Sequence, residues 1–269
     1  MTSPAIAVDS LEKYFPPAFS GWRALLLPFA RPTQRALAGV SFQVARGEAV
    51  ALVGANGAGK STLLRILATL ISPTRGSAML AGFDVDQQGA QARARLGYHT
   101  GGDEGFYSRL TSRQNLLFFA AMNNLTRSAA LDRIEQIAVW MGFAAELDRP
   151  VRMLSTGMAH RLGLARALLH SPEILLLDEP TRSLDPLAAA DFRRLLKEEI
   201  VRRRGATLLF ASHTLSEVEE LADRMVLLAG GKILADNSPA RLRAAAGGAT
   251  LEAAIAALTR VGAAPAVRP

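Results

Sequence analysis

Gly54-Ala55-Asn56-Gly57-Ala58-Gly59-Lys60-Ser61-Thr62 fits the phosphate-cradling pattern G-x-x-x-x-G-K-[ST], and its reading decides the fold of this chain. The run before it, Ala49-Val50-Ala51-Leu52-Val53, reads as a strand. The run after it, Leu63-Leu64-Arg65-Ile66-Leu67-Ala68, has the periodicity of a helix. Strand, glycine-rich loop and helix form the context such a loop requires. Gly54, Gly57 and Gly59 let the backbone curl so that successive N–H groups point inward, and the helix that follows begins its dipole there. Lys60 offers a point charge to the β- and γ-phosphates of a nucleotide, and the Ser61 hydroxyl suits Mg²⁺. The segment therefore implies a nucleoside triphosphate site.

The rest of the chain bounds what surrounds that site. Its 269 residues, 49% of them hydrophobic, can bury a large core in one domain or two. The apolar run from Trp22 to Ala30 is interrupted by Arg23 and Pro28, so nothing approaches the 18 or more residues of a membrane span. Met1-Thr2-Ser3-Pro4 opens without the basic and apolar regions of a signal peptide. The absence of cysteine excludes a disulfide scaffold and thiolate metal sites. A soluble cytoplasmic protein is the expectation. The net charge of +7 admits nucleic acid or an anionic membrane surface as a partner, but it is equally the sum of arginines on solvated helix faces. Those arginines are scattered, apart from Arg202-Arg203-Arg204 at a helix end.

Short apolar runs alternate with helical patterns, which predicts an α/β fold. Strands are expected at Ile6–Val8, Val40–Val44, Ala49–Val53, Ala78–Leu80, Gly97–His99, Ile174–Leu177, Thr207–Ala211, Met225–Leu228 and Ile233–Ala235. Helices are expected at Lys60–Leu70, Ser112–Asn123, Leu131–Met141, Thr156–Leu169, Ala188–Arg203, Leu215–Ala222 and Pro239–Ala246. Residues 105–165 are strand-poor and read as a helical subdomain inserted into the sheet domain. Residues 16–34 are proline-rich and apolar, too broken for a long helix. The main domain is expected to span residues 1–247, followed by a short helix and tail over 248–269.

Ile174-Leu175-Leu176-Leu177-Asp178-Glu179 reads as a buried strand ending in two carboxylates. Open α/β sheets bind ligands at the carboxyl ends of their strands, so this strand delivers both acids to the phosphates. Asp178 is the candidate Mg²⁺ ligand, through water, and Glu179 the candidate general base. Leu154-Ser155-Thr156-Gly157-Met158 precedes a long helical pattern, with Ser155 as its N-cap. A helix start of this kind is either a capped terminus or a second anion site. Its position shortly before the Asp-Glu strand resembles the signature motif of ATP-binding cassette (ABC) ATPases.

The resemblance extends over most of the chain. Ser183-Leu184-Asp185 lies where the D-loop of that family lies, His213 in Ala211-Ser212-His213-Thr214 matches its switch histidine, and Tyr14 matches the aromatic that stacks on adenine. The ending from Thr250-Leu251-Glu252 to Leu258-Thr259 is similar to the tail of ABC-2-type exporter ATPases. The fold so implied is a P-loop NTPase core sheet with an antiparallel β subdomain and an inserted helical signature subdomain. The implied activity is ATP hydrolysis coupled to transport, with ATP and Mg²⁺ bound. ATP would rest on Tyr14 and on Gly54, Ala55, Asn56, Gly57, Ala58, Gly59, Lys60, Ser61 and Thr62. The metal would sit at Ser61 and Asp178, with Glu179, His213 and Lys60 catalytic. Ser155, Gly157 and Asp185 would act in trans from a dimer partner, in a homodimer or heterodimer; Asp185 also reads as a helix cap. The implied partner is a transmembrane permease on a separate chain, which would hold the subunit on the inner face of the cell membrane. A soluble ABC ATPase acting on nucleic acid or ribosomes is the alternative, but it fits poorly with one cassette and no sustained heptads.

Three departures from the family pattern stand out. Gly97-Tyr98-His99-Thr100 runs into Gly101-Gly102-Asp103-Glu104-Gly105 with no glutamine, where the family ends a strand with one. Either Asp103 or Glu104 supplies the missing oxygen, or the glycines give the loop flexibility. Thr156, Met158 and His160 replace the commoner signature residues, while Ser155 and Gly157 are kept. Trp22, Leu25, Leu26, Leu27 and Phe29 in the insertion form either an apolar ledge for a membrane partner or a satellite cluster over the sheet edge.

Overall fold

The computed structural model describes residues 3–16, 34–101, 105–245, 247 and 250–262. The apolar ledge, Asp103 and Glu104, and the end of the tail lie outside the described residues.

Two sheets form the body of the molecule. The first is antiparallel, in the order β2-β1-β4-β5, built from β1 (Ile6–Phe15), β2 (Gln34–Val44), β4 (Arg75–Leu80) and β5 (Phe83–Asp84). The second is six-stranded, in the order β10-β9-β3-β8-β7-β6, with β3 (Ala49–Val53), β6 (Leu96–His99), β7 (Ile174–Asp178), β8 (Thr207–Ser212), β9 (Arg224–Ala229) and β10 (Lys232–Asn237). Strands β9, β3, β8, β7 and β6 run parallel, and β10 closes the edge antiparallel. This is the α/β architecture expected, with the antiparallel subdomain beside the P-loop sheet.

The parallel strands are covered on both faces, which is why their sequences are continuous apolar runs rather than alternating ones. Val50, Leu52, Leu176 and Leu209 face one core, shared with Ile6, Leu11 and Val40 of the antiparallel sheet. Ala51, Val53, Leu175, Leu177 and Phe210 face a second core made with the helices. Between the two sheets lies α1 (Lys60–Leu67), whose Leu63, Leu64, Ile66 and Leu67 are fully buried. Each such side chain stabilises the packed state by about 1.5–3 kcal/mol, so the helix that begins at the phosphate loop is fixed on both sides.

The helical subdomain contains α3 (Ser112–Met122), α4 (Arg127–Trp140) and α5 (Thr156–Leu168), preceded by the short α2 (Gly89–Arg93) outside it. A capping box at Thr111 and Gln114 starts α3, and the Thr126 side chain caps α4. After β7 come α6 (Pro186–Leu195), α7 (Leu215–Leu221), α8 (Pro239–Ala245) and α9 (Leu251–Gly262).

Several boundaries differ from the sequence reading for identifiable reasons. Strand β1 runs on to Phe15 because β2 pairs with it as far as Gln34. Helix α1 stops at Leu67, and Thr69 turns into the left-handed region with φ 59°. The segment expected as one helix over Ala188–Arg203 is α-helical to Leu195 and π-helical over Leu196–Arg202. The short β5 and α2 carry too few residues for a periodic signal.

Candidate functional site

The carboxyl ends of β3, β6, β7 and β8 point to one side of the parallel sheet, where a cleft of about 1030 Å³ opens. The P-loop lines it with Gly54, Ala55, Asn56, Gly57, Gly59, Lys60, Ser61 and Thr62. Asp178 and Glu179 enter from the end of β7, His213 from beyond β8, and Thr100 from beyond β6. Of the P-loop residues expected here, only Ala58 lies behind the cleft. It is buried, and its backbone bonds to Ala55 and Gly231.

Gly59 shows why this loop needs glycine. Its φ is 108°, and a Cβ there would stand 2.6 Å from the Ala36 carbonyl oxygen and 2.8 Å from Leu37 Cδ2. The loop is thus pressed against β2 as the first turn of α1 begins. The amides of that first turn have no acceptor within the helix and carry its positive dipole end. Lys60, 5% exposed, lies across the loop and donates to the carbonyls of Gly54 (2.6 Å) and Ala55 (3.2 Å).

The Ser61 hydroxyl donates to Asp178 Oδ1 at 3.1 Å. Burial pushes the Asp178 carboxyl above its ordinary range; the Ser61 bond opposes this, the Glu179 charge adds to it, and Arg65 and Lys60 also oppose it. Two hard oxygen donors side by side, one of them a carboxylate in need of positive charge, fit Mg²⁺, which takes one or two protein oxygens beside phosphate and water.

Glu179 has φ 55°, a left-handed conformation that a residue other than glycine adopts at a cost of about 1–3 kcal/mol. Its amide is held by the Ala211 carbonyl at 3.0 Å, and its Oε2 pairs with His213 Nδ1. The carboxylate is largely buried, while the His213 ring is 60% exposed to the cleft. A strained strand-end carboxylate held against an imidazole can take a proton from water and keep its orientation.

The aromatic on the cleft is displaced by one residue from the sequence expectation. Phe15 lines it beside Gln34, Arg35 and Ala36, and Tyr14 does not. The register of β1 against β2 shifts between Lys13 and Tyr14, and successive side chains of a strand face opposite ways. Tyr14 instead packs under the Arg35 guanidinium, 5.6 Å from its ring centre. Arg182, which follows Thr181 after the Asp-Glu pair, also lines the cleft and was not singled out by sequence.

Ser155 caps α5 by accepting from the Met158 amide at 3.3 Å. Asp185 caps α6 by accepting from Leu187 (3.1 Å) and Ala188 (2.9 Å), and Pro186 follows at the first helical position. Ser155, Gly157 and Asp185 share a second, smaller cavity that has no lining residue in common with the P-loop cleft.

Gly101, at the loop where glutamine is missing, has φ 65°, and a Cβ there would stand 2.3 Å from the Glu179 carbonyl oxygen. The loop backbone thus touches the Asp178–Glu179 backbone directly. Two residues before it, His99 is fully buried, and neither ring nitrogen has a hydrogen-bond partner among the described residues. Its ring meets His160 of α5 edge-on at 6.0 Å. His160 Nδ1 donates in turn to the Pro180 carbonyl at 3.2 Å.

Burial, with His160 and Arg166 adding positive charge, pushes the His99 imidazole down to about 3. The folded state then stays neutral at a pH where the unfolded chain takes up a proton, so the stability from this site is whole above about pH 6.5 and is lost on acidification towards 3. His99→Leu is expected to remove that loss. In chemical denaturation, lowering the pH from 7 to 5 should cost the parent about 2 kcal/mol more than the variant. Equal losses would exclude a neutral buried His99.

Together the two-sheet fold, the P-loop cleft and the capped helical arm define a P-loop nucleoside triphosphatase with a signature subdomain. The ABC transporter family profile matches residues 37–182, and the chain belongs to that family. It is 36% identical over 200 residues to the ABC transporter ATP-binding protein NatA of Bacillus subtilis, across 74% of this chain and 80% of the relative. It is 33% identical over 272 residues to the daunorubicin resistance ATP-binding protein DrrA3 of Streptomyces coeruleorubidus, across 100% of this chain and 79% of that one. A solved ATP-binding subunit of an ABC transporter superposes with a TM-score of 0.76 at 26% identity, over 95% of this chain and 99% of the other. The chain is an ATP-binding, ATP-hydrolysing transport subunit, and its relatives support that reading over an ATPase acting on nucleic acid. No helix among the described residues is long and apolar enough to cross a membrane.

Proposed function

We propose that this chain contributes one P-loop half and one signature half to a head-to-tail dimer, which closes on two ATP and drives a separate membrane-spanning export subunit. One observation carries the reading. The P-loop cleft and the Ser155–Gly157–Asp185 cavity are separate in one protomer, so an ATP on the P-loop can meet a signature helix only from a second copy. Similarity along the whole chain to a daunorubicin resistance ATP-binding protein supports export. The permease partner would hold the subunit on the inner face of the cell membrane.

Within this reading the P-loop amides and Lys60 bind the phosphates, Lys60 leaving the Gly54 and Ala55 carbonyls to do so. Phe15 supports the adenine face, the role that sequence alone gave to Tyr14. Ser61 and Asp178 are the residues for Mg²⁺, which when bound spreads the charge of the β- and γ-phosphates. Glu179 takes the proton of the attacking water, and His213 holds Glu179 and donates to the γ-phosphate. From the partner copy, Ser155 and Gly157 bring a helix N-terminus to the γ-phosphate, and Asp185 stiffens the adjoining turn.

The test is ATP-driven assembly of a chain that cannot hydrolyse. In sedimentation, ATP should convert the Glu179→Gln chain from monomer to dimer, and adding Gly157→Asp should abolish the shift by placing a negative charge at the shared phosphate. A Glu179→Gln chain that stays monomeric at saturating ATP would overturn the composite site.

A further inference from the structure

His160 is 2% exposed and stands on α5 little more than one turn beyond its Ser155 cap. Its side chain reaches out of the helical subdomain: Nδ1 lies 3.2 Å from the Pro180 carbonyl oxygen. A carbonyl only accepts, so Nδ1 carries the proton and donates. The ring is held on two sides. His99, at the end of β6, meets it edge-on at 6.0 Å, and Phe192 of α6 meets it edge-on at 6.2 Å. Both neighbours are buried, so the ring that aims this bond has little room to turn.

Pro180 directly follows Glu179. Glu179 is held at φ 55°, a conformation that persists only where its surroundings impose it. The backbone around it is tied at three points. The Glu179 amide donates to the Ala211 carbonyl at 3.0 Å, and the Arg182 amide donates to the Glu179 carbonyl at 3.1 Å. The third tie is His160 on Pro180, a residue with no N–H of its own to fix it. The first two come from the neighbouring strand and from the same turn, while the third comes from the signature helix. We infer that His160 is a positioning residue for ATP hydrolysis: its hydrogen bond to Pro180 ties α5 to the strained exit of β7 and so holds Glu179 towards the phosphates. His160 lines neither the P-loop cleft nor the Ser155–Gly157–Asp185 cavity, so its effect falls on the chemical step and not on ATP binding.

The inference rests on Glu179 acting as the base, as assigned above. In the full-length chain, His160→Phe keeps a ring between His99 and Phe192 but has no donor. It is expected to lower kcat about tenfold with KM unchanged, because a misoriented base slows the step that follows binding. His160→Gln loses the ring but offers an amide N–H, and should stay within about threefold of the parental kcat. A ring that served only to fill the core would give the reverse order. Parental kcat in His160→Phe, a loss of about tenfold in His160→Gln, or a loss confined to KM would each overturn the proposal. Where His160→Phe does not fold, the kcat of His160→Gln decides by itself. If Glu179→Gln abolishes hydrolysis and His160→Phe does not slow it, only the positioning role fails. If Glu179→Gln leaves hydrolysis intact, the assignment of the base fails first and the positioning role falls with it.

Discussion

Glu179→Gln is expected to stop ATP turnover while leaving ATP binding intact. Removing a general base lowers the rate of the chemical step by about 10²–10⁴-fold. The substitution is isosteric, so Oε1 of glutamine can still accept a hydrogen bond in place of the carboxylate oxygen that pairs with His213. What it loses is the ability to take a proton. The backbone supports a specific role at this position. A glutamate at φ 55°, its amide fixed to the Ala211 carbonyl at 3.0 Å, carries strain that the surrounding sheet must hold in place. Phosphate release gives the turnover and equilibrium titration with ATP gives the affinity. A variant that hydrolyses within fivefold of the parent would remove Glu179 from the role of base.

The parts of the site that were legible in the sequence are those whose chemistry is local. The P-loop needs its glycines, lysine and serine within nine consecutive residues, and a continuous apolar strand must precede them. Both are visible without any tertiary knowledge, and eight of the nine loop residues line the cleft, with Ala58 alone turned away. Asp178 and Glu179 were legible for the same reason, as the polar end of an apolar run. Ser155 and Asp185 were legible as caps, because a cap is a relation over two or three residues. Phe15 was not. Choosing between two adjacent aromatics depends on a register shift against β2, a strand that begins nineteen residues later. The π-helical continuation of α6 was also hidden, since its residues keep a helical composition throughout.

The missing glutamine shows how a sequence departure becomes a physical statement. Read from sequence, the glycines of residues 101–105 offered flexibility. Gly101 itself does something more definite. A Cβ there would lie 2.3 Å from the Glu179 carbonyl oxygen, 3.1 Å from the Glu179 carbonyl carbon and 3.2 Å from the Asp178 oxygen. Every one of those atoms is backbone, so no rotamer change can relieve the overlap. Gly101→Ala is therefore expected to displace the strand end that carries both carboxylates, destabilising the fold by about 2–4 kcal/mol through overpacking and backbone strain. ATPase activity should fall about a hundredfold with it, since a shift near 1 Å in a catalytic group has an effect of that size. Gly101→Gln, which puts the family's glutamine at this place, should be no better, because its Cβ meets the same carbonyls. Gly205 provides the control. It shares a positive φ, at 62°, yet no atom lies within 4 Å of its would-be Cβ. Gly205→Ala should therefore show only the left-handed penalty of about 1–2 kcal/mol and keep full activity. Chemical denaturation and steady-state phosphate release on the three variants separate the two effects. If Gly101→Ala behaves as Gly205→Ala does, the contact with Asp178 and Glu179 is not what excludes a side chain from this loop.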